Sequence, residues 1–282
     1  MINGKLINPE SIVIVGGSDD LLKPGGRILK NIKDSGYKGR LCVVNPKQDT
    51  VQGLVSYREL RDLPEADLAV LAIPASLCPE AARILAEEKG TGAFIVISAG
   101  FSEAGEEGKQ LEQELKSVIS SRGATLIGPN CIGVITPAYS GVFTNPIPDL
   151  DPSGCDFVSG SGATAVFIFE SAIPKGLRFS SVYSVGNSAQ TGAEDILEYW
   201  DLTFDPEKSS KVKLIYLESI KDPGKLLLHA SSLIRKGCRI AAIKAGTSEA
   251  GSRAASSHTG ALASSDSAVE ALFRKAGIVR CA

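Results

Sequence analysis

The sequence predicts an α/β protein made of two successive units, each a mainly parallel sheet with helices on both faces. Three observations carry this. Short apolar runs of strand length alternate with longer amphipathic stretches, the pattern of strand–helix–strand units. The first apolar run ends directly in glycines, as in doubly wound folds that bind nucleotides. Near the middle a stretch with three prolines within seven residues, at 146–152, interrupts the alternation. The 282 residues suffice for two domains at the usual about 100–200 residues each.

In the first half, strands are expected at 11–17, 41–45, 67–73, 92–98 and 124–127. Helices are expected at 26–35, 77–89 and 106–121. Residues 137–154 show little periodicity and read as a linker between domains of 1–136 and 155–282. In the second half, strands are expected at 156–159, 179–185, 212–218, 239–245 and 278–281. Helices are expected at 163–172, 191–200, 224–236 and 267–276, which makes a flavodoxin-like pattern. Two capping boxes support helix starts: Thr191 with Glu194, and Ser267 with Glu270, the latter helix stopping at Gly277. The chain ends directly after an expected strand, as a piece of a longer protein would.

Composition excludes several classes. A net charge of −2 with scattered basic residues gives no reason to expect nucleic-acid binding. No apolar stretch approaches the roughly 20 residues of a membrane span, and the N-terminus lacks the apolar core of a signal peptide. The six cysteines form no C-x-x-C pair and mostly sit in apolar runs. They read as thiols of a cytoplasmic protein rather than as a disulfide framework. Without paired ligands at metal spacing, no metal site is expected.

The loops after the strands carry the candidate binding residues, because open α/β sheets bind ligands at that edge. Gly16, Gly17 and Ser18 follow the first strand, and Pro24, Gly25 and Gly26 open the first helix. Such glycines admit a phosphate close to the backbone, and the helix start offers free N–H groups. A tight structural turn would use the same residues, and the strict G-x-G-x-x-G spacing is absent. The second strand ends in Asn45, Pro46 and Lys47, not in the carboxylate that usually binds an NAD ribose. A cation there suits a ligand with a ribose phosphate, such as coenzyme A or NADP. Further strand-end loops present Ile73 and Pro74, then Ser98, Ala99 and Gly100, then Asn130.

In the second half, Ser159, Gly160, Ser161, Gly162 and Ala163 lead from a strand into a helix and form a candidate phosphate cradle. Glu218 ends a later strand at the same edge. His258, one of two histidines, lies among small hydroxyl residues and glycine just before a helix. An imidazole there can be phosphorylated, and a carboxylate on its other nitrogen would fix the tautomer. Glu218 is the candidate for that role. His229, inside a helix, reads as an ordinary helix residue. A serine hydrolase and a P-loop protein are disfavoured, since neither motif is present.

These residues carry a resemblance. Asn8-Pro9-Glu10-Ser11-Ile12, Val43-Val44-Asn45-Pro46, the run from Ile97 to Glu103, Gly128-Pro129-Asn130-Cys131-x-Gly133-Val134, Val158-Ser159-x-Ser161-Gly162 and Ala255-Ser256-Ser257-His258-Thr259-Gly260 resemble the nucleoside-diphosphate-forming acyl-CoA synthetases. This family includes ADP-forming acetate–CoA ligase and the α subunit of succinyl-CoA synthetase. Ser-His-Thr-Gly-Ala-Leu around the histidine fits the acetate type better. The resemblance implies a Rossmann-like CoA-binding domain followed by a flavodoxin-like domain with a phosphohistidine.

It implies that acyl-CoA and phosphate give acyl phosphate and CoA, and that acyl phosphate phosphorylates His258. ADP or GDP, as its magnesium complex on an ATP-grasp part, then takes the phosphoryl group. Glu218 matches the histidine's carboxylate partner. Gly16, Gly17, Ser18, Asn45, Pro46, Lys47, Ser98, Ala99, Gly100 and Asn130 match CoA-contacting loops. Lys23, Gly25, Gly26, Ile73 and Pro74 complete the candidate CoA set, and Ser159, Ser161, Gly162 and Ala163 the phosphate set.

The implied ligands are CoA and a small carboxylic acid. The implied partner is an ATP-grasp subunit or C-terminal domain, in an oligomer. The loop 186–191 lacks the acidic residues many acetate-type members carry, and no ATP-grasp sequence is present. A non-catalytic CoA-sensing module of a protein acyltransferase and an NADP-dependent oxidoreductase remain alternatives.

Overall fold

The computed structural model describes residues 2–246 and 266–281. His258 lies outside the described residues.

The first sheet grows from strands with no polar face. β1 (Ser11–Val15), β5 (Leu68–Leu71) and β6 (Ala93–Val96) are buried along their whole length, as parallel strands between two helical layers must be. With β2 (Arg40–Val44), β3 (Thr50–Val51), β4 (Leu54–Tyr57) and β7 (Thr125–Ile127) they form the order β3-β4-β2-β1-β5-β6-β7. All pairings are parallel except β3 with β4. That short antiparallel pair lies in a stretch without a run of apolar residues and was not expected. A four-residue helix, α1 (Gly4–Ile7), precedes β1, and α2 (Pro24–Asp34), α3 (Cys78–Glu88) and α4 (Glu106–Ser121) follow their strands. The chain leaves β1 towards β2 and returns on its other side at β5. This reversal opens a crevice at the carboxyl ends of the strands.

The second sheet has the order β14-β13-β12-β10-β11-β8-β9. Its strands are β8 (Gly133–Thr136), β9 (Tyr139–Val142), β10 (Leu150–Ser159), β11 (Phe179–Ser184), β12 (Val212–Leu217), β13 (Arg239–Lys244) and β14 (Val279–Arg280). Its helices are α5 (Gly162–Ala172), α6 (Ala193–Leu202), α7 (Pro223–Arg235) and α8 (Asp266–Ala276). The reversal falls at β10, between β11 and β12.

Residues 137–154 are not the plain connection expected. β9 lies within them, β10 begins there, and β8 just before pairs antiparallel with β11. The hydrogen-bonded boundary between the sheets therefore falls between β7 and β8. Thr136, Ser140 and Gly141 hide the apolar pattern of these short strands, while Val134, Ile135, Tyr139 and Val142 are buried. The hairpin is tied to the first unit. Tyr139 Oη donates to Leu6 O at 2.8 Å and Thr136 Oγ1 to Ile7 O at 3.0 Å. Asn31, on the buried side of α2, donates to Val142 O at 2.6 Å. One apolar cluster runs from Ile12 and Ile95 of the first sheet to Val134, Val158 and Tyr183 of the second.

The Thr191–Glu194 capping box is replaced by other contacts. α6 starts at Ala193, and the Gly192 N–H donates to the Asp195 carboxylate at 2.7 Å. Glu194 is only 4% exposed and accepts from Lys221 N at 2.7 Å and Asp222 N at 3.2 Å. Tertiary use of that carboxylate outweighed the local pairing. Ser267 lies inside α8, and Glu270 pairs with Arg280 at 3.1 Å. His229 is buried between α7 and α6, its Nδ1 2.9 Å from the Asp201 carboxylate. All six cysteines are free, and all but Cys281 are buried. Among the described residues no helix is long and apolar enough to cross a membrane.

Candidate active site

The parallel register sets the site. Ser159 aligns with Ser184 of β11 and with Tyr216 of β12. The segments after these strands must then emerge together. They line a cavity of about 400 Å³ with Gly160, Ser161, Gly162 and Ala163 on one wall, Gly186, Asn187 and Ser188 on another, and Glu218 and Lys221 on a third. Asn130 and Ile97, from strand ends of the first sheet, close it.

The α5 start is built by two serines. Ser161 is the N-cap, and its Oγ accepts from Thr164 N at 3.3 Å. Ser159 Oγ donates to Ser161 O at 2.7 Å and accepts from Ser161 N at 3.2 Å. Ser159 is fully buried, so it shapes the turn from beneath and does not line the cavity. The N–H groups of the first turn lack helical partners, and the helix start carries partial positive charge. Gly162 and Ala163 present that end to the cavity, an arrangement suited to an anion.

Glu218 follows β12 and lies across from this turn: a Cβ on Gly160 would stand 3.5 Å from Glu218 N. Lys244, at the end of β13, is nearby. Burial pushes its ammonium down, and Asp266 and Glu218 pull it back up. The proposed partnership of Glu218 with His258 falls outside the described residues on the histidine side.

The wall at 186–188 is held in a sparsely populated backbone conformation. Gly186 has φ +51° and Ser188 φ +55°, and Asn130 opposite has φ +55°. Left-handed backbone in non-glycine residues costs energy and persists where surroundings impose it. Lys221 is one such constraint, since its Nζ donates to Asn187 O at 3.1 Å and Ser188 O at 2.6 Å. Burial holds the Lys221 ammonium below its usual range, against the pull of Glu112 and Glu194. Neither Lys221 nor Glu194 was singled out as a site residue from the sequence. Each becomes one only because loops 186–194 and 218–222 meet in space.

The candidate CoA residues form a row along the first sheet's carboxyl edge. Asn45 Nδ2 donates to Gly17 O at 2.8 Å, and its Oδ1 accepts from Lys47 N at 2.9 Å. Pro46, Lys47 and Lys23 are exposed beside this turn. Gln52 Nε2 donates to both Ser18 O and Gly26 O at 2.8 Å. Ser98 Oγ donates to Ile73 O, next to Pro74, and Asn130 N donates to Ser98 O at 3.0 Å. Ala99 and Gly100 follow, and the Gly100 N–H is taken by Glu103 at 2.6 Å. This row leads from the first turn to the cavity.

Two glycines of the first turn are also required by the packing of the turn itself. A Cβ on Gly16 would stand 2.4 Å from Ala72 O, and one on Gly25 would stand 2.1 Å from Gly16 O. They permit a close approach of the chain to itself, which is compatible with a ligand on the open side of the turn.

Fold and site together define a two-unit α/β protein whose strand-end loops run from a glycine-rich turn to a helix start suited to an anion. Residues 10–137 match the family described as a CoA binding domain, and residues 152–282 the succinyl-CoA ligase-like flavodoxin domain. The chain belongs to the nucleoside-diphosphate-forming acyl-CoA synthetases.

It is 36% identical over 96% of its length to subunit alpha of acetate–CoA ligase [ADP-forming] II of Pyrococcus furiosus, covering 58% of that protein. It is 37% identical over 98% of its length to acetate–CoA ligase [ADP-forming] I of Archaeoglobus fulgidus, covering 39%. Among solved structures it is similar to the dinucleotide forming acetyl-coenzyme A synthetase 1 of Ca. Korarchaeum cryptofilum in complex with phosphate and ADP. That match has a TM-score of 0.88 and 34% identity, over 98% of this chain and 59% of that one. The chain thus spans between about two fifths and three fifths of these relatives. The comparisons do not favour the sensing-module or oxidoreductase alternatives.

Proposed function

We propose that this chain is the CoA-binding and phosphohistidine-carrying part of an ADP-forming acyl-CoA ligase, completed by an ATP-grasp subunit or domain. The observation that supports it most is the cavity where the α5 start, Glu218 and a strand-end loop of the CoA-type unit converge.

The residues fit the ligands. Backbone N–H groups of Gly162 and Ala163 and the amide of Asn130 are a donor set for phosphate oxygens. Along the first sheet, the exposed Lys23 and Lys47 flank the first turn, where the phosphates of CoA would lie. Ile73, Pro74, Ser98, Ala99 and Gly100 then line the path of the thiol arm towards the cavity. The buried free thiols suit a reducing cytoplasm.

In the proposed sequence, a phosphate oxygen attacks the thioester carbonyl, and CoA leaves as the thiolate, which takes up a proton. The α5 N–H groups hold the phosphoryl oxygens. An imidazole nitrogen of His258 then attacks the phosphorus of the acyl phosphate, and the carboxylate leaves. Glu218 accepts the proton on the other imidazole nitrogen in a hydrogen bond and stabilises the positive charge that develops. The phosphoryl group finally passes to ADP, bound with magnesium on the ATP-grasp part.

The test is to combine the chain with its ATP-grasp partner and ATP labelled on the γ-phosphate. An acid-labile label on this chain is expected, absent in His258→Ala and strongly reduced in Glu218→Gln. Label that persists in His258→Ala overturns the assignment.

A further inference from the structure

We propose that Asn187 is a positioning residue that fixes the 98–100 loop of the first unit against the cavity of the second, acting through Glu103. The proposal rests on the reading of that loop as part of the CoA path.

Glu103 is shared between the two units. One carboxylate oxygen accepts from Gly100 N at 2.6 Å and Phe101 N at 3.2 Å, which folds the loop after β6. The other accepts from Asn187 Nδ2, on the cavity wall of the second unit. Asn187 Nδ2 also reaches Glu112 at 2.9 Å and Ser102 Oγ at 3.2 Å, while its Oδ1 faces Asn130 Nδ2 at 3.4 Å. Ser102 Oγ donates to Glu112 at 2.7 Å, so both carboxylates are satisfied around one amide. Burial opposes ionisation of Glu103, yet the bonds from Asn187, Gly100 and Phe101 hold its carboxyl below the usual range.

The backbone of Asn187 is held separately by Lys221. The side chain therefore acts as a strut between an anchored wall and the short 3-10 turn Ser102–Ala104 that follows the 98–100 loop. An amide is required: it donates to the carboxylates and accepts from Asn130 with one planar group. Without the strut, the loop's amides stay bound to Glu103, and the second unit holds the loop only indirectly, through the bonds of Asn187 N and Ala189 N to residues 128–129 and of Asn130 N to Ser98 O. A substrate that must reach from one unit into the other then binds less tightly, while steps confined to the second unit continue.

The experiment uses the complete ligase, this chain with its ATP-grasp part, in the acyl-CoA-forming direction. Asn187→Ala should raise KM for CoA about tenfold, the scale of one or two lost hydrogen bonds, with a smaller change in kcat. Glu103→Gln leaves one acceptor where there were two and should shift KM for CoA the same way. Its phosphoenzyme yield from labelled ATP, a step without CoA, should match wild type. KM for CoA within twofold of wild type in both variants overturns the proposal. So does a parallel loss of phosphoenzyme and CoA affinity in Glu103→Gln, which would mark a structural defect. If Asn187→Ala fails to fold by thermal melting, Glu103→Gln alone decides. A wild-type enzyme that never saturates with CoA instead overturns the underlying CoA reading.

Discussion

Gly186→Ala is expected to weaken the seam between the two units, and the structure sets the scale. Gly186 has φ +51°, and a Cβ there would stand 2.2 Å from Pro129 O and 2.5 Å from Asn130 O. The left-handed backbone alone costs an L-residue about 1–2 kcal/mol. The neighbours are backbone atoms that no rotamer change can move aside, and overpacking of this kind costs about 1–3 kcal/mol. The sum is roughly 2–5 kcal/mol, a large share of the about 5–15 kcal/mol typical of a folded domain. Trp200, the only tryptophan and 5% exposed, reports unfolding of the second unit by fluorescence in urea. Gly36→Ala is the control: its φ is +73° with nothing within 4 Å of the Cβ, so only the backbone part should appear. A loss below about 0.5 kcal/mol for Gly186→Ala, the range of neutral surface changes, would refute the reasoning. So would equal losses for the two variants.

Other consequences are equally direct. Lys213 is 1% exposed and pairs with Asp156, which also accepts from Ser181 Oγ at 2.6 Å. Lys213→Met should destabilise by about 3–5 kcal/mol in urea titration by stranding a buried carboxylate, and adding Asp156→Asn should recover part of this. The folded Glu103 carboxyl is depressed below its ordinary value of 4.5. Its contribution is therefore complete above that pH and lost as pH falls through the folded value. Acid titration of stability should be steeper for wild type than for Asn187→Ala, and parallel curves would contradict this. Burial pushes the Cys78, Cys131 and Cys155 thiols up to about 12. A thiol reagent on the native protein should therefore label Cys281 quickly and the other five cysteines only after denaturation.

The class of fold and most of its elements were legible in the amino-acid pattern. Runs such as Ser11–Val15 and Leu68–Leu71 are buried on both faces, so their apolar content is continuous and readable. α4 falls at 106–121 as expected, because its amphipathic period spans four turns. The convergence of Ser161, Gly162, Ala163 and Glu218 was legible too, since parallel strands deliver their following loops to one edge.

Other features depend on packing between distant segments. β8 and β9 carry too few apolar residues to announce strands, and their burial depends on α1, α2 and β11. Glu194 looked like half of a capping box, yet the loop after β12 claims its carboxylate. Asn187, Glu103, Glu112 and Lys221 come from separate segments, and nothing local links them. Local pattern records what a segment buries against its own sheet. A polar contact between two units depends on where distant loops end, and that is settled only when both sheets share one core.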